Sequence, residues 1–201
     1  MILNVDVVSD FVCPWCRLGG ARLSQAVAHF AVQRPDITVR VNWLPYQLNP
    51  DMPLSGKPYR AFLSDKFGGE HKVAQMQAEL VEAGAVDGVA FDFDRIEKRP
   101  NTLKAHRLAY RAQSSGYKVE RVAQLIDALF GAYFLQGLDI GDDDVLADLA
   151  AGCGDKRDAV LAYLQSGQDV DAVTRMARRV REQGVESVPF FIVDRRLGIS
   201  G

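Results

Sequence analysis

Ile2-Leu3-Asn4-Val5-Asp6-Val7-Val8-Ser9-Asp10-Phe11-Val12-Cys13-Pro14-Trp15-Cys16 is the stretch on which the fold turns. Ile2 to Val8 make an apolar run of strand length. Beyond the cysteines, Leu23, Ala26, Val27 and Phe30 recur at i, i+3, i+4 and i+7, the periodicity of a helix. The two cysteines therefore fall where a strand passes into a helix, with Cys13 near the N-cap and Pro14 at the first helical position. Proline suits that position because its missing N–H has no intrahelical partner to lose. The start of a helix presents free N–H groups and a partial positive charge, which favour a thiolate on the first cysteine. A thiolate with a second thiol one helical turn away is equipped for disulfide exchange.

A zinc site needs four ligands, and the sequence does not supply them. The third cysteine, Cys153, stands alone between Gly152 and Gly154, and His29, His71 and His106 are scattered singly. No metal is expected. The 201 residues are 48% hydrophobic, enough for a sizeable core. A net charge of −2 leaves no basic footprint for nucleic acid and no polybasic membrane signal. No apolar run reaches the length of a membrane span. Met1 leads straight into the first strand without a basic segment or an apolar leader, so the expected compartment is the cytoplasm, where these thiols rest reduced.

The first helix should stop near Arg34-Pro35, since the residue before a proline leaves helical geometry. Ile37, Val39, Val41 and Trp43 then alternate with Thr38, Arg40 and Asn42 in a second strand, parallel to the first across the helix. Pro45, Pro50 and Pro53 mark the loop that closes this unit. Helical stripes follow: Val73, Met76 and Leu80 ending at Gly84; Ala105, Leu108, Ala109 and Ala112 ending near Gly116; Val122, Leu125, Ile126, Leu129, Phe130 and Tyr133 ending near Gly137. Asp142-Asp143-Asp144 opens the next helix, and Asp155 is expected to cap another bearing Val160, Leu161 and Leu164. A long helix with Val170, Val173, Ala177 and Val180 precedes a strand at Phe190–Val193, a tight turn at Asp194-Arg195-Arg196 and a last strand from Leu197.

Near the end stands Gly184-Val185-Glu186-Ser187-Val188-Pro189-Phe190-Phe191, a proline opening an apolar strand. With it, Ser9-Asp10-Phe11-Val12-Cys13-Pro14-Trp15-Cys16, Pro45-Tyr46-Gln47-Leu48-Asn49-Pro50, Phe91-Asp92-Phe93-Asp94-Arg95-Ile96 and Pro100-Asn101-Thr102-Leu103-Lys104-Ala105-His106-Arg107 run in order along the chain. In these stretches the sequence resembles the DsbA family, and within it the FrnE-like branch related to 2-hydroxychromene-2-carboxylate isomerases. The resemblance implies an α/β thioredoxin-like fold, β-α-β plus a β-hairpin in a mixed sheet, split by a large all-helical insertion. The thioredoxin-like parts would be residues 1–54 and 168–201, and the insertion residues 55–167. The final helix with which the family covers its sheet is absent from this sequence. The resemblance also implies a cis Val188–Pro189 bond lying against the cysteines.

On this reading Cys13 is the exposed nucleophile and Cys16 the resolving thiol one turn deeper. Pro14 and Trp15, together with Val188 and Pro189, would contact substrate, Trp15 as an apolar lip. Asn101 and His106 match a family motif near the cysteines and are carried over as substrate-binding candidates. Arg17 adds a charge beside the site that counts for little if exposed, and Cys153 reads as an incidental thiol. A helix terminus supplies about 0.3–1 kcal/mol, about 2 when partly buried. A deeper depression of the Cys13 pKa needs hydrogen bonds from the Cys16 S–H and backbone N–H groups. Trp15, unlike a histidine, brings no charge, so a milder oxidant than periplasmic DsbA is expected. The function implied is thiol–disulfide exchange, as oxidoreductase or isomerase, on disulfide- or thiol-containing proteins or small molecules, with no nucleic acid or membrane partner. No cofactor is expected beyond glutathione as a thiol co-substrate. The alternative is a glutathione-dependent isomerase or transferase of the 2-hydroxychromene-2-carboxylate isomerase type, whose members usually carry serine where Cys13 stands. A non-catalytic binding module is a third reading. Substrate, direction of exchange and oligomeric state are not encoded in any motif.

Overall fold

The structure, a computed structural model, covers residues 1–201. Its first unit is β1 (Ile2–Ser9), α1 (Pro14–Gln33) and β2 (Thr38–Pro45). The two strands pair in parallel, Val5 opposite Val41 and Val7 opposite Trp43. Parallel neighbours cannot be joined by a tight turn, and α1 supplies the crossover. It begins with Cys13 as N-cap and Pro14 in its first turn, and its C-cap is Arg34, just before Pro35.

After the proline loop come β3 (Lys57–Pro58), α2 (Tyr59–Phe67), α3 (Glu70–Val86), a 3-10 turn at Phe93–Arg95, β4 (Lys98–Arg99), α4 (Leu103–Ser114), α5 (Val119–Phe134), α6 (Asp143–Gly152) and α7 (Arg157–Gln165). The short β3 and β4 pair antiparallel, a small ladder within the otherwise helical segment. Leu108 of α4 and Leu125, Ile126 and Leu129 of α5 are all but fully buried, so the two heaviest stripes in the sequence face one core. Asp142 caps α6, its Oδ1 accepting from the Asp144 and Val145 N–H groups at 2.9 and 3.1 Å. Arg107, 2% exposed, turns inward from α4 and donates to the carbonyls of Tyr163, Leu164, Ser166 and Gln168, closing the C-terminal end of α7. A cation there also meets the negative end of the helix dipole.

Two expectations give way. Asp155 does not cap α7, whose N-cap is Lys156; its carboxylate is drawn instead to Arg111, Arg121 and the Tyr117 hydroxyl. Helix α3 runs past Gly84, because that glycine lets the Val89 carbonyl and the Phe91 ring pack against the helix where a Cβ would collide.

The chain ends with α8 (Val170–Glu182), β5 (Phe190–Val193) and β6 (Leu197–Ser200), giving the sheet order β2-β1-β5-β6. Strand β5 is antiparallel to β1, with Val8 opposite Phe190. The residues just before Phe190 therefore arrive at the end of β1 from which the Cys13 turn departs. Asp194 and Arg195 make the β5–β6 turn with φ of 48° and 57°, and Asp194 extends the pairing to β1 by exchanging hydrogen bonds with the Asn4 backbone. On the far side, Gln113 of α4 pairs its side-chain amide with both the N–H and C=O of Trp43, satisfying the open edge of β2. No helix is long and apolar enough to cross a membrane.

Candidate active site

Cys13 has extended backbone geometry and makes no side-chain cap bond, so its sulfur is not used up in closing the helix start. The turn that presents it is closed by the Cys13 N–H on the Asp10 carbonyl at 3.0 Å. The Cys13 carbonyl accepts from the N–H groups of Cys16 and Arg17 at 3.1 and 3.3 Å. Across the site, the Cys13 Sγ donates weakly to the Val188 carbonyl at 3.6 Å, and the Val188–Pro189 peptide is cis. The expectation of an exposed Cys13 is corrected here. It is only 6% exposed, against 0% for Cys16, because the segment ahead of β5, 175 residues away in the chain, folds over it. Gly19 makes that approach close: a Cβ on it would sit 2.8 Å from Cγ of Pro189.

The two thiols are driven apart in acidity. The Cys16 thiol hydrogen-bonds the Cys13 sulfur and pulls its pKa below the ordinary thiol value against the cost of burial; the Cys16 backbone N–H adds to this, Asp10 opposes it and Arg99 helps it. Burial pushes Cys16 well above that value, and the neighbouring Cys13 adds to the rise through its hydrogen bond and its charge. The Ser9 hydroxyl, buried and without another partner, faces Cys16.

Behind the cysteines lies a buried polar cluster. Asp10 is 1% exposed; its Oδ2 accepts from the Leu48 N–H at 2.8 Å and its Oδ1 lies 3.3 Å from His106 Nε2. That nitrogen also lies 3.1 Å from the Tyr46 carbonyl, which can only accept, so Nε2 carries the proton. Burial alone would raise the Asp10 pKa, but the His106 hydrogen bond, the charges of His106 and Arg99 and the Leu48 N–H bring it below the usual carboxylate value. Arg99, 6% exposed, donates through Nη1 to the Val12 carbonyl at 2.8 Å, directly before Cys13. His106 thus stands one residue behind the thiols, touching Asp10 and not the sulfurs. Asn101 is farther off in role: its Nδ2 donates to the Met52 carbonyl at 2.6 Å and its Oδ1 accepts from the Leu103 N–H at 2.9 Å, bracing the start of α4.

Trp15 is 43% exposed and stands on the rim of an open apolar groove between α1 and the β5–β6 hairpin, about 310 Å³ in volume, which Pro189, Phe191 and Ile199 also line. Pro14 is half-buried beside it. Arg17 is not at the site. It lies half-buried between α1 and α5, donating to the Phe130 carbonyl at 3.0 Å. Cys153 is half-buried at the end of α6, its thiol pKa raised by burial. Sequence reasoning missed Asp10 and Arg99 as individual residues. Their one local signal was position, Asp10 three residues before Cys13 and Arg99 directly before Pro100-Asn101.

A family model described as a DSBA-like thioredoxin domain matches residues 4–201. A crystal structure of a probable DsbA oxidoreductase from Streptomyces coelicolor is 30% identical, covering 99% of this chain and 83% of that one with a TM-score of 0.86. A 2-hydroxychromene-2-carboxylate isomerase is 18% identical over 100% of this chain and 89% of that one, TM-score 0.68. The cytosolic disulfide reductase DsbM from Pseudomonas aeruginosa, solved with glutathione, is 17% identical over 98% of this chain and 89% of that one, TM-score 0.64. The last two likenesses are of fold.

Proposed function

This chain belongs to the DsbA-like thioredoxin domain family, and we propose that it is a dithiol–disulfide oxidoreductase whose redox centre is Cys13 and Cys16. The observation that carries the reading is the pairing of thiols: Cys13 at a helix N-cap with its pKa lowered, and Cys16 buried behind it with its pKa raised. The Cys13 thiolate attacks one sulfur of a substrate disulfide. A Cys13–substrate bond forms, the substrate S–S bond breaks and the displaced thiolate takes up a proton. Cys16 then loses its proton and attacks the Cys13 sulfur, forming the Cys13–Cys16 bond and releasing the second substrate thiol. Two electrons have passed to the substrate. A low-molecular-weight thiol of the glutathione class restores the dithiol by the reverse exchange, and with an oxidised donor the same steps run as oxidation.

In the resting site the Val188 carbonyl is held by the Cys13 S–H. Once Cys13 is in a mixed disulfide that proton is gone, and the carbonyl is free to accept from an extended substrate backbone, as in strand addition. Pro189 has no N–H to compete, and Trp15 offers an apolar rim for the flanking side chains. The cytoplasm is the compartment included in this proposal, as for the Pseudomonas reductase. A glutathione-dependent isomerase would leave Cys16 idle, and the buried second thiol is why dithiol exchange is preferred.

Cys16→Ser tests the reading. Incubated with a disulfide-bonded peptide, this variant should accumulate a mixed disulfide on Cys13 that the wild type resolves. No adduct on Cys13, or adducts on Cys153 instead, would remove the basis of the proposal.

A further inference from the structure

We propose that the buried charges of Asp10 and Arg99 set the reactivity of Cys13 from opposite sides, Asp10 favouring the thiol and Arg99 the thiolate. Asp10 lies in the turn that carries the nucleophile, and Arg99 is bonded to that turn from β4. The Asp10 carbonyl receives the Cys13 N–H at 3.0 Å, and Arg99 Nη1 reaches the Val12 carbonyl at 2.8 Å. Neither side chain can be shielded by bulk water, since the two residues are 1% and 6% exposed. The Asp10 carboxylate is held by His106 and Leu48. Arg99 is held by neutral groups only: the Val12 carbonyl, Asn49 Oδ1 at 3.4 Å and the face of the Phe62 ring. Its Nε has no partner. A buried guanidinium without a carboxylate in contact must be offset by anions farther away. Asp10 is one, and a Cys13 thiolate is the other.

The remaining groups facing this cluster do not replace either charge. Cys16 on α1 is a thiol donor to Cys13, and His106 on α4 faces Asp10. Tyr59 on α2 and Tyr133 on α5 face Arg99 with their pKa values raised by burial, so both stay neutral. Lys66 on α2 lies toward Cys13 from the solvent side, where screening weakens it. From the β5 side the nearest group is the uncharged Val188 carbonyl.

The inference rests on the dithiol reading of Cys13, and its test separates the two. The ionisation of Cys13 is followed by iodoacetamide alkylation against pH, with the labelled cysteine identified by mass spectrometry. Arg99→Gln should cut the neutral-pH alkylation rate roughly tenfold and move its midpoint up, while Arg99→Lys, which keeps the charge, should recover most of the rate. Asp10→Asn should move the midpoint down. Equal effects of Gln and Lys at Arg99 would show that the residue only braces the Val12 carbonyl and would overturn the proposal. So would an upward shift in Asp10→Asn. If Asp10→Asn does not fold for want of its His106 contact, the two Arg99 variants decide alone. A wild type lacking any cysteine that ionises below the ordinary thiol range refutes the dithiol reading, whereas opposite shifts in the variants would still uphold the charge pair.

Discussion

Gly19→Ala puts the packing of the site to a quantitative test. Gly19 lies inside α1, where alanine is favoured over glycine by about 1 kcal/mol. Its added Cβ would stand 2.8 Å from Pro189 Cγ and 3.2 Å from Phe191 Cζ. Carbon atoms settle at about 3.5–4.0 Å, so Pro189 must withdraw by roughly 0.7 Å or more. Overpacking of this kind costs about 1–3 kcal/mol. The two terms leave the variant about 1 kcal/mol less stable, on the order of 2–4 °C in Tm for a chain of this size. The greater effect should be on chemistry, because withdrawing Pro189 lengthens the 3.6 Å contact between Cys13 Sγ and the Val188 carbonyl. Thermal unfolding and the rate of reduction of a model disulfide are measured together. Gly131→Ala is the control: it lies in α5 with nothing within 4 Å of its Cβ position, so it should gain the helix term and exchange at the wild-type rate. A Gly19→Ala protein stabilised as much as Gly131→Ala and exchanging at the wild-type rate would refute the close packing of Pro189 on α1.

Arg107→Met removes a buried cation from four carbonyls, two of them at exposed residues that water can satisfy again. The loss should be about 3–5 kcal/mol, roughly 10 °C in Tm, and a shift under about 2 °C would contradict it. His106→Ala concerns acid stability. Asp10 has a lowered pKa in the folded protein, so its contribution is present above the unfolded value of about 3.9 and is lost as pH falls through the folded pKa. Without His106 burial prevails and the folded pKa rises, so the ionised carboxylate no longer stabilises the fold. In urea unfolding the variant's deficit against the wild type should be largest near neutral pH and shrink as pH falls through the folded pKa, and a deficit that does not change with pH would refute this. Trp15→Ala should raise KM for an unfolded polypeptide disulfide far more than for a small one, and equal changes for both would assign Trp15 to packing alone.

The fold was legible where periodicity is local. Val5, Val7 and Val8 mark the central strand, and the Asp142-Asp143-Asp144 cap is written in consecutive residues. What the sequence hid is set by long-range approach. Gly84 looks like a helix stop and is a contact point for the Val89 carbonyl. Asp155 looks like a cap, but the combined pull of Arg111 and Arg121 exceeds what one helix terminus offers. The burial of Cys13 depends on Val188, and the hold on its turn depends on Arg99, 87 residues beyond Val12. Arg17, adjacent in sequence, points elsewhere because one step on a helix rotates the side chain off the face that bears Cys13 and Cys16.

Cys13 and Cys16 are expected to form a reversible redox couple. Equilibrating the protein across a series of glutathione redox buffers, quenching with acid and mapping the thiols by mass spectrometry tests it most directly. One intramolecular disulfide, Cys13–Cys16, should form, with Cys153 left free and a midpoint nearer the thioredoxin value of about −270 mV than the DsbA value of about −120 mV. A protein that forms no Cys13–Cys16 bond at any poise, and stops at a glutathione adduct on Cys13, would contradict it.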